Sequence, residues 1–441
     1  KAMNVLDQKP NSLEEHWMPF SGNRAFKEDP RLLVKAEGVY YWNHKGEKLI
    51  DGSSGLFCCA LGHGRKEIAD AVAKQLTTLD YASPFQMGHA GSFEVARRVA
   101  DLTPDDLNHV FFVNSGSEAI DTALKISIAY HRARGDGQRR HFVSRERAYH
   151  GVNIGGTTLG GIMKNREAFG SVMPGVVHMR HTWLEENKFT QGQPKTGAEL
   201  AEDLDRFASL LGGDSIAACF VEPIAGSTGC LVPPVGYLER LREICDAHGI
   251  LLVFDEVICG FGRTGTPFAA ETFSVTPDII TMAKGITNGA QPMGAVAVRD
   301  GIYETVMESA APGAIELFHG YTYSGHPAAC AASLAVLDIY EKEGVFTNAA
   351  TMAPYFQDAI FGMKDISGIS DIRGYGMLAG IDLSPEGGAG ARGMKIHKKL
   401  FSSGVYIKFT GDTALVAPPL VSTKENIDEI ISGIKRVLED G

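Results

Sequence analysis

From about residue 60 onward, short apolar runs of the kind that make strands alternate with longer runs whose apolar residues recur at helical spacing. This alternation constrains the chain more than any other feature. Strands joined through helices line up in parallel and need both faces of their sheet covered. The segments HVFFVNSG (109–116), IAACFVEP (216–223), GILLVFDE (249–256) and PDIITMAK (277–284) are predicted strands, each ending in polar residues. Between two of them Leu238, Leu241, Ile244, Cys245 and His248 follow helical spacing, and Gly249 is placed to stop that helix. Ligands of open α/β sheets bind beyond the carboxyl ends of the strands, so these polar ends are expected to converge on one crevice.

Outside this alternation, VYYWNHKGEKLID (39–51) reads as a hairpin closed by Gly46, following an irregular N-terminal arm. Stretches 134–140, 187–197 and 383–393 are polar and Gly-rich and read as surface loops. Near the C-terminus Ser422 and Glu425 fit a capping box, and Ile427, Ile430, Ile431 and Ile434 form one apolar stripe of a helix in a smaller domain. The 441 residues are too many for one ordinary core and suggest a large domain with a smaller companion, or two comparable ones.

Composition narrows the partners. The formal charge of -11 repels phosphate backbones and anionic membranes, so nucleic acid is not expected as a partner. No apolar run approaches the roughly 18 residues needed to span a bilayer. The N-terminal stretch, with Asp7, Glu14 and Glu15, lacks the apolar core of a signal peptide, and a cytoplasmic location is expected. The seven cysteines form no CxxC pair and are read as reduced and mostly buried. The fourteen histidines follow no metal-binding spacing, and no metal is expected.

The chemistry is carried by the strand ends. Lys284 stands directly after an apolar strand, where burial favours the neutral, nucleophilic amine and a Schiff base is its natural use. Read alone, such a lysine is better explained by a stem lying along a sheet edge with its amine in water. Asp255, at the end of another strand, could hold a pyridinium nitrogen protonated, as an electron-sink cofactor bound to a lysine requires. A phosphate site is offered by NSGSEAIDTALKISIAYHRARG, where Gly116 and Ser117 open a helix with Ile120, Ala123, Leu124, Ser127 and Ile128 on one face. RAYHG supplies Tyr149 and His150 before a glycine, so an aromatic ring could lie flat against a planar cofactor. Each of these has an ordinary structural explanation by itself; their joint occurrence points to chemistry.

That order, with HWMPF, NSGSEA, YHG, VEP, DEVICGFGRTG, AKGITNG and HGYTYSGHP, resembles the class III aminotransferases, and the likeness spans nearly the whole chain. The resemblance implies an α/β fold type I transferase dependent on pyridoxal 5'-phosphate. Its parts would be an N-terminal arm and part of the small domain (1–60), a large cofactor-binding domain (61–325) with a mostly parallel sheet, and a C-terminal small domain (326–441). It further implies that Lys284 forms the imine with the cofactor and then shuttles the proton between substrate and cofactor. Asp255 would pair with the pyridine nitrogen, Val257 would pack behind the ring with Tyr149 on its other face, and His150 and Ile258 would be further cofactor-binding residues. Gly116 and Ser117 would hold the phosphate, Glu222 would sit near the cofactor's polar edge, and Ser115 would be a further cofactor-binding residue. Thr322 would reach the phosphate of a neighbouring subunit, making a homodimer with shared active sites; further pairing into tetramers stays open.

Within the class, HWMPFSGNR, SGLFCCALGH, LDYASPFQMGH and HGVNIGGTTLGG are closest to the omega-amino acid:pyruvate and amine:pyruvate enzymes. The implied reaction takes an amino group from an omega-amino acid such as beta-alanine, or a primary amine, to pyruvate by a ping-pong route. Trp17, Phe20, Phe57, Phe85 and Tyr149 would wall the donor pocket. Two residues depart from the pattern: Phe57 stands where the family usually has tryptophan, and Lys408 where it usually has arginine. A smaller ring widens a pocket, and lysine keeps the charge without the bidentate fork that grips a carboxylate. Other long omega-amino acids and arylalkyl amines therefore stay open as donors. The alternatives are another reaction on the same scaffold (aminomutase, decarboxylase or racemase), a non-catalytic protein of this fold, and a cofactor-free Schiff-base aldolase.

Overall fold

The computed structural model describes residues 13–441; Asp7, used above in reading the N-terminus, lies outside them. All four predicted strands belong to one seven-stranded sheet, three of them side by side at its middle and His109–Val113 at its edge. Its order is His109–Val113, Gly294–Val298, Ile279–Met282, Leu251–Asp255, Ile216–Val221, His141–Arg145, Val176–Met179. Gly294–Val298 runs antiparallel to both its neighbours, and the other pairings are parallel. Every residue of Ile216–Val221, Leu251–Asp255 and Ile279–Met282 is buried, which accounts for their unbroken apolar character.

Helices close the two faces as their spacing predicts. Tyr237–His248 buries Leu238, Leu241, Ile244 and Cys245, and Gly249 ends it in the left-handed region at φ 69°, where a side chain would be strained. Gly116–Ala133 buries Ile120, Ala123, Leu124 and Ser127 against the sheet. Among the described residues no helix is long and apolar enough to cross a membrane.

Two smaller sheets flank the large one. Tyr40–Asn43 and Lys48–Asp51 form the expected hairpin, with Gly46 N–H donating to the Asn43 carbonyl at 2.9 Å. Leu33–Glu37 adds to one side, and Val405–Tyr406 pairs in parallel with Lys48–Asp51, so distant parts of the chain share one sheet. Ile369–Tyr375, Leu378–Leu383, Thr413–Val416 and Lys408–Thr410 make the third.

The C-terminal helix Lys424–Glu439 buries Ile427, Ile430, Ile431 and Ile434 as expected, but its cap lies one residue later than the Ser422/Glu425 pair. Thr423 Oγ1 accepts from Asn426 N–H at 3.2 Å, and Asn426 Oδ1 accepts from Thr423 N–H at 3.0 Å. Ser422 is instead buried, and its hydroxyl has no partner among the described residues. Threonine with asparagine three residues on satisfies both orphan amides as well as serine with glutamate would, so the pattern alone does not choose the frame. Thr423→Ala is expected to cost about 1 kcal/mol in denaturant unfolding, and Ser422→Ala clearly less.

Candidate active site

The site is built where three buried parallel strands stop. Val221 is opposite Phe254, and Asp255 opposite Thr281, so Glu222, Asp255 and the segment leading to Lys284 emerge at one end of the sheet. Asp255 and Glu256 then diverge. Asp255 faces the cleft: its Oδ2 accepts from His150 Nδ1–H at 2.8 Å, and its Oδ1 from Val257 N–H at 3.1 Å. Glu256, fully buried, turns inward and accepts from the backbone N–H groups of Ala269 and Ala270. Burial pushes its carboxyl up to about 8.

His150 is buried, and its Nε2 has no partner among the described residues. Because an ionised carboxylate only accepts, the contact with Asp255 sets the proton on Nδ1. Glu222 is buried beside them and accepts from Tyr149 N–H at 3.0 Å. Burial, reinforced by the Asp255 charge and opposed by His150, pushes Glu222 up to about 7.

Lys284 adopts φ 49°, an uncommon conformation for a long side chain and one that marks stored strain. Its Nζ donates to the Leu56 carbonyl at 3.0 Å and stands 5.9 Å from the centre of the Phe57 ring. Burial lowers the pKa of this amine; Cys58 and Asp255 pull it the other way, and Lys408 adds to the lowering. A larger neutral fraction makes the amine a nucleophile.

On the opposite wall the helix Gly116–Ala133 begins. Ser115 Oγ accepts from Glu118 N–H at 3.1 Å, and Glu118 Oε1 accepts from Asn114 N–H at 2.9 Å. Ser115 is thus committed to capping the helix, and the free N–H groups at its start are those of Gly116 and Ser117. Ser117 Oγ accepts from Val152 N–H at 3.0 Å. Gly151 lies so close that a Cβ there would stand 2.4 Å from Ser117 Oγ and 2.6 Å from its Cα. The strand end, the tight turn and the helix start together form a concave wall whose free N–H groups suit an anion.

Eight of the residues singled out from sequence line one cleft: Gly116, Ser117, Tyr149, Glu222, Asp255, Val257, Ile258 and Lys284. Ser115 and His150 stand behind it. Phe57 is buried close to Lys284, and Lys408 is half-buried on the strand Lys408–Thr410, its amine lowered by burial. Trp17, Phe20 and Phe85 do not line the cleft in the single chain; they are 90%, 74% and 54% exposed. Thr322 is also exposed, its carbonyl accepting from Tyr81 Oη–H at 2.9 Å. Sequence reasoning missed Gly151, Ile224, Ser227 and Ala283, which complete the lining, and the Leu56 carbonyl. The glycine of YHG and the small residues after VEP were the signals available.

Comparison with known proteins agrees with this geometry. The family model described as aminotransferase class-III matches residues 23–438. An omega-aminotransferase of Caulobacter vibrioides is 52% identical, the match covering 97% of this chain and 98% of that protein. A beta-alanine–pyruvate aminotransferase of Pseudomonas aeruginosa is 48% identical over 97% of this chain and 96% of its own length. Among solved structures, an omega transaminase from Pseudomonas jessenii in complex with PMP superposes with a TM-score of 0.90 at 31% identity, covering 96% of each chain.

The raised carboxyls have a consequence for stability. Glu222 and Glu256 hold protons in the folded chain at pH values where the unfolded chain has released them. Their contribution is fully present below about 4.5 and is lost as pH rises through about 7 and about 8. The thermal midpoint of the cofactor-free protein is expected to fall across that window, and Glu256→Gln, which keeps the shape without the charge, to flatten the fall.

Proposed function

The chain belongs to the class III aminotransferase family, and we propose that it moves an amino group from an omega-amino acid such as beta-alanine, or from a primary amine, to pyruvate. The products are an aldehyde or ketone and L-alanine, formed in two half-reactions at one cleft. The observation that carries the reading is the convergence of the Lys284 amine, the Asp255 carboxylate and the N-terminus of the helix Gly116–Ala133 around that cleft. The similarity to omega-amino acid and beta-alanine:pyruvate enzymes supports the substrate class.

Pyridoxal 5'-phosphate is part of this reading, and the residues present fit it. Free N–H groups and the Ser117 hydroxyl suit a phosphate, and the wall they form has room only because residue 151 has no side chain. When bound, this cofactor supplies an electron sink that lets a proton leave the carbon bearing the amine. Asp255, its two oxygens oriented by His150 Nδ1–H and Val257 N–H, would be the acceptor for a protonated ring nitrogen. Tyr149 and Val257 are read as flanking the ring, with Ile258 beside Val257 and Glu222 at its polar edge. Lys284 would hold the cofactor through Nζ, and the same amine, when free, would be the group that takes up and hands on the proton leaving the donor carbon. Burial keeps Nζ closer to the neutral form that step needs.

Phe57, against Lys284, is assigned to the wall of the donor pocket, and Lys408 to the carboxylate of pyruvate or beta-alanine. Trp17, Phe20, Phe85 and Thr322 are assigned to a site completed by a second subunit. A homodimer is therefore part of the proposal, supported by the exposure of these aromatics, which bare solvent would not favour.

Purified protein incubated with beta-alanine and pyruvate is expected to form L-alanine, and failure across a panel of omega-amino acids and amines would refute the reading. Lys284→Ala is expected to abolish turnover together with the visible absorption of the bound cofactor; a coloured, active variant contradicts the lysine assignment. Lys408→Ala is expected to raise the apparent KM for pyruvate about tenfold, the loss of one charge-assisted contact. An unchanged KM removes Lys408 from the substrate site.

A further inference from the structure

Beside Lys284 lies a pair of thiols that the proposed reaction does not use. Cys58 and Cys59 are adjacent in sequence, and their sulfurs are 3.8 Å apart. Both are half-buried, whereas the other five cysteines are buried. A Cβ on Gly289 would stand 3.0 Å from Cys58 Sγ, and one on Gly55 3.2 Å from Cys59 Sγ, so each sulfur occupies space that a missing side chain leaves open.

We propose that Cys58 and Cys59 are a thiol-modification site that takes small disulfides, closes to a reversible disulfide between the two neighbours, and thereby displaces the segment holding Lys284.

The two thiols are not equivalent. Cys58 is held below its ordinary pKa by the Cys59 thiol hydrogen-bonded to it, helped by the backbone at Leu56 and the Lys284 charge, against the effect of burial. Cys59 is raised by the same contact, in which either sulfur can donate, and by burial. The Lys284 charge acts on Cys58, so Cys58 is assigned as the attacking thiolate and Cys59 as the resolving thiol. Cys58 Sγ attacks one sulfur of the small disulfide, an S–S bond forms to that sulfur, and the other leaves as a thiolate. Cys59 Sγ then attacks Cys58 Sγ, the Cys58–Cys59 bond forms, and the second small thiol departs. The two protons from the cysteines end on the two released thiols; the protein pair is oxidised by two electrons and the small disulfide is reduced.

Closure has to strain the backbone. Neighbouring Cα atoms are about 3.8 Å apart, inside the usual Cα separation of a disulfide. A strained bond is easily reduced, which makes this one reversible. The strain falls on a segment anchored at both ends. Asp51 accepts from Ser53 N–H at 3.1 Å, Gly55 N–H at 2.8 Å and His63 Nε2 at 2.7 Å, while Leu61 N–H donates to Asn288 Oδ1 at 2.8 Å. Between these anchors the chain already carries Ser54 and Phe57 at φ 47° and 64°. The part left to yield includes the Leu56 carbonyl that holds Lys284 Nζ and the Phe57 ring beside it.

The test uses the holoenzyme, fully reduced and then exposed to excess of a small symmetrical disulfide such as cystamine. Free thiols, counted after denaturation, are expected to fall from seven to five per chain. The peptide holding both cysteines should lose two hydrogens in mass, and a dithiol should restore it. Cys59→Ser is expected to stop at a mixed disulfide on Cys58, and Cys58→Ser to react at neither position. Turnover of the oxidised enzyme is expected to fall at least about tenfold, as displacement of a reacting group does, and to recover on reduction. Seven surviving thiols, separate adducts on the two cysteines, or ring closure in undiminished activity would each overturn the proposal. The thiol count and mass do not depend on what the enzyme transfers, so they fail independently of the functional reading.

Discussion

The register between two buried parallel strands is the constraint on which the site depends. With Asp255 opposite Thr281, the chain leaving one strand carries a carboxylate into the cleft, and the chain leaving the next carries Lys284 three residues later. A slip of one residue would exchange Asp255 with Glu256 and turn the acid that faces the cleft into the protein interior. The strands resist such a slip because they are buried on both faces and flanked on each side by further paired strands. Position is thus set by packing of the sheet, and the polar ends inherit it.

Around that register, each ionisable group is placed by a second contact. Asp255 is held by His150 and Val257, Glu222 by Tyr149, and Lys284 by a backbone carbonyl from the far-off Leu56. Left-handed backbone at Ser54, Phe57 and Lys284 costs of order 1–3 kcal/mol per residue and persists because the neighbouring elements over-determine it. The same crowding puts a pair of thiols, Cys58 and Cys59, next to the amine. In the proposed reading these features serve one end: a lysine whose pKa burial lowers, held in place with an acid fixed at the neighbouring strand end.

Much of this was legible in sequence, and the residues that were legible share a cause. Lys284, Asp255, Gly116 and Ser117 follow strands whose apolar runs announce where they stop, so their convergence follows from parallel topology. Ser115 was equally visible, yet its hydroxyl is spent on Glu118 N–H, a local competition that spacing does not resolve. The C-terminal cap shifted from Ser422 to Thr423 for a similar reason. The Leu56 carbonyl could not be foreseen, since a backbone acceptor over two hundred residues away leaves no side-chain signature. The role of Glu256 as a buried acceptor for Ala269 and Ala270 was hidden by its neighbour. Trp17, Phe20, Phe85 and Thr322 remain outside the cleft of the single chain, as they must if their task is shared between subunits.

The central claim is that the amine presented by Lys284, and no other, carries the cofactor. Lys408 is the instructive competitor, because it too is half-buried and close enough to influence the charge of Lys284. Borohydride reduction of the purified enzyme with its cofactor, followed by peptide mapping, tests this most directly. The account predicts a single stable phosphopyridoxyl group on the peptide containing Lys284. A group on Lys408 or any other lysine, or a cofactor released without attachment, would contradict it.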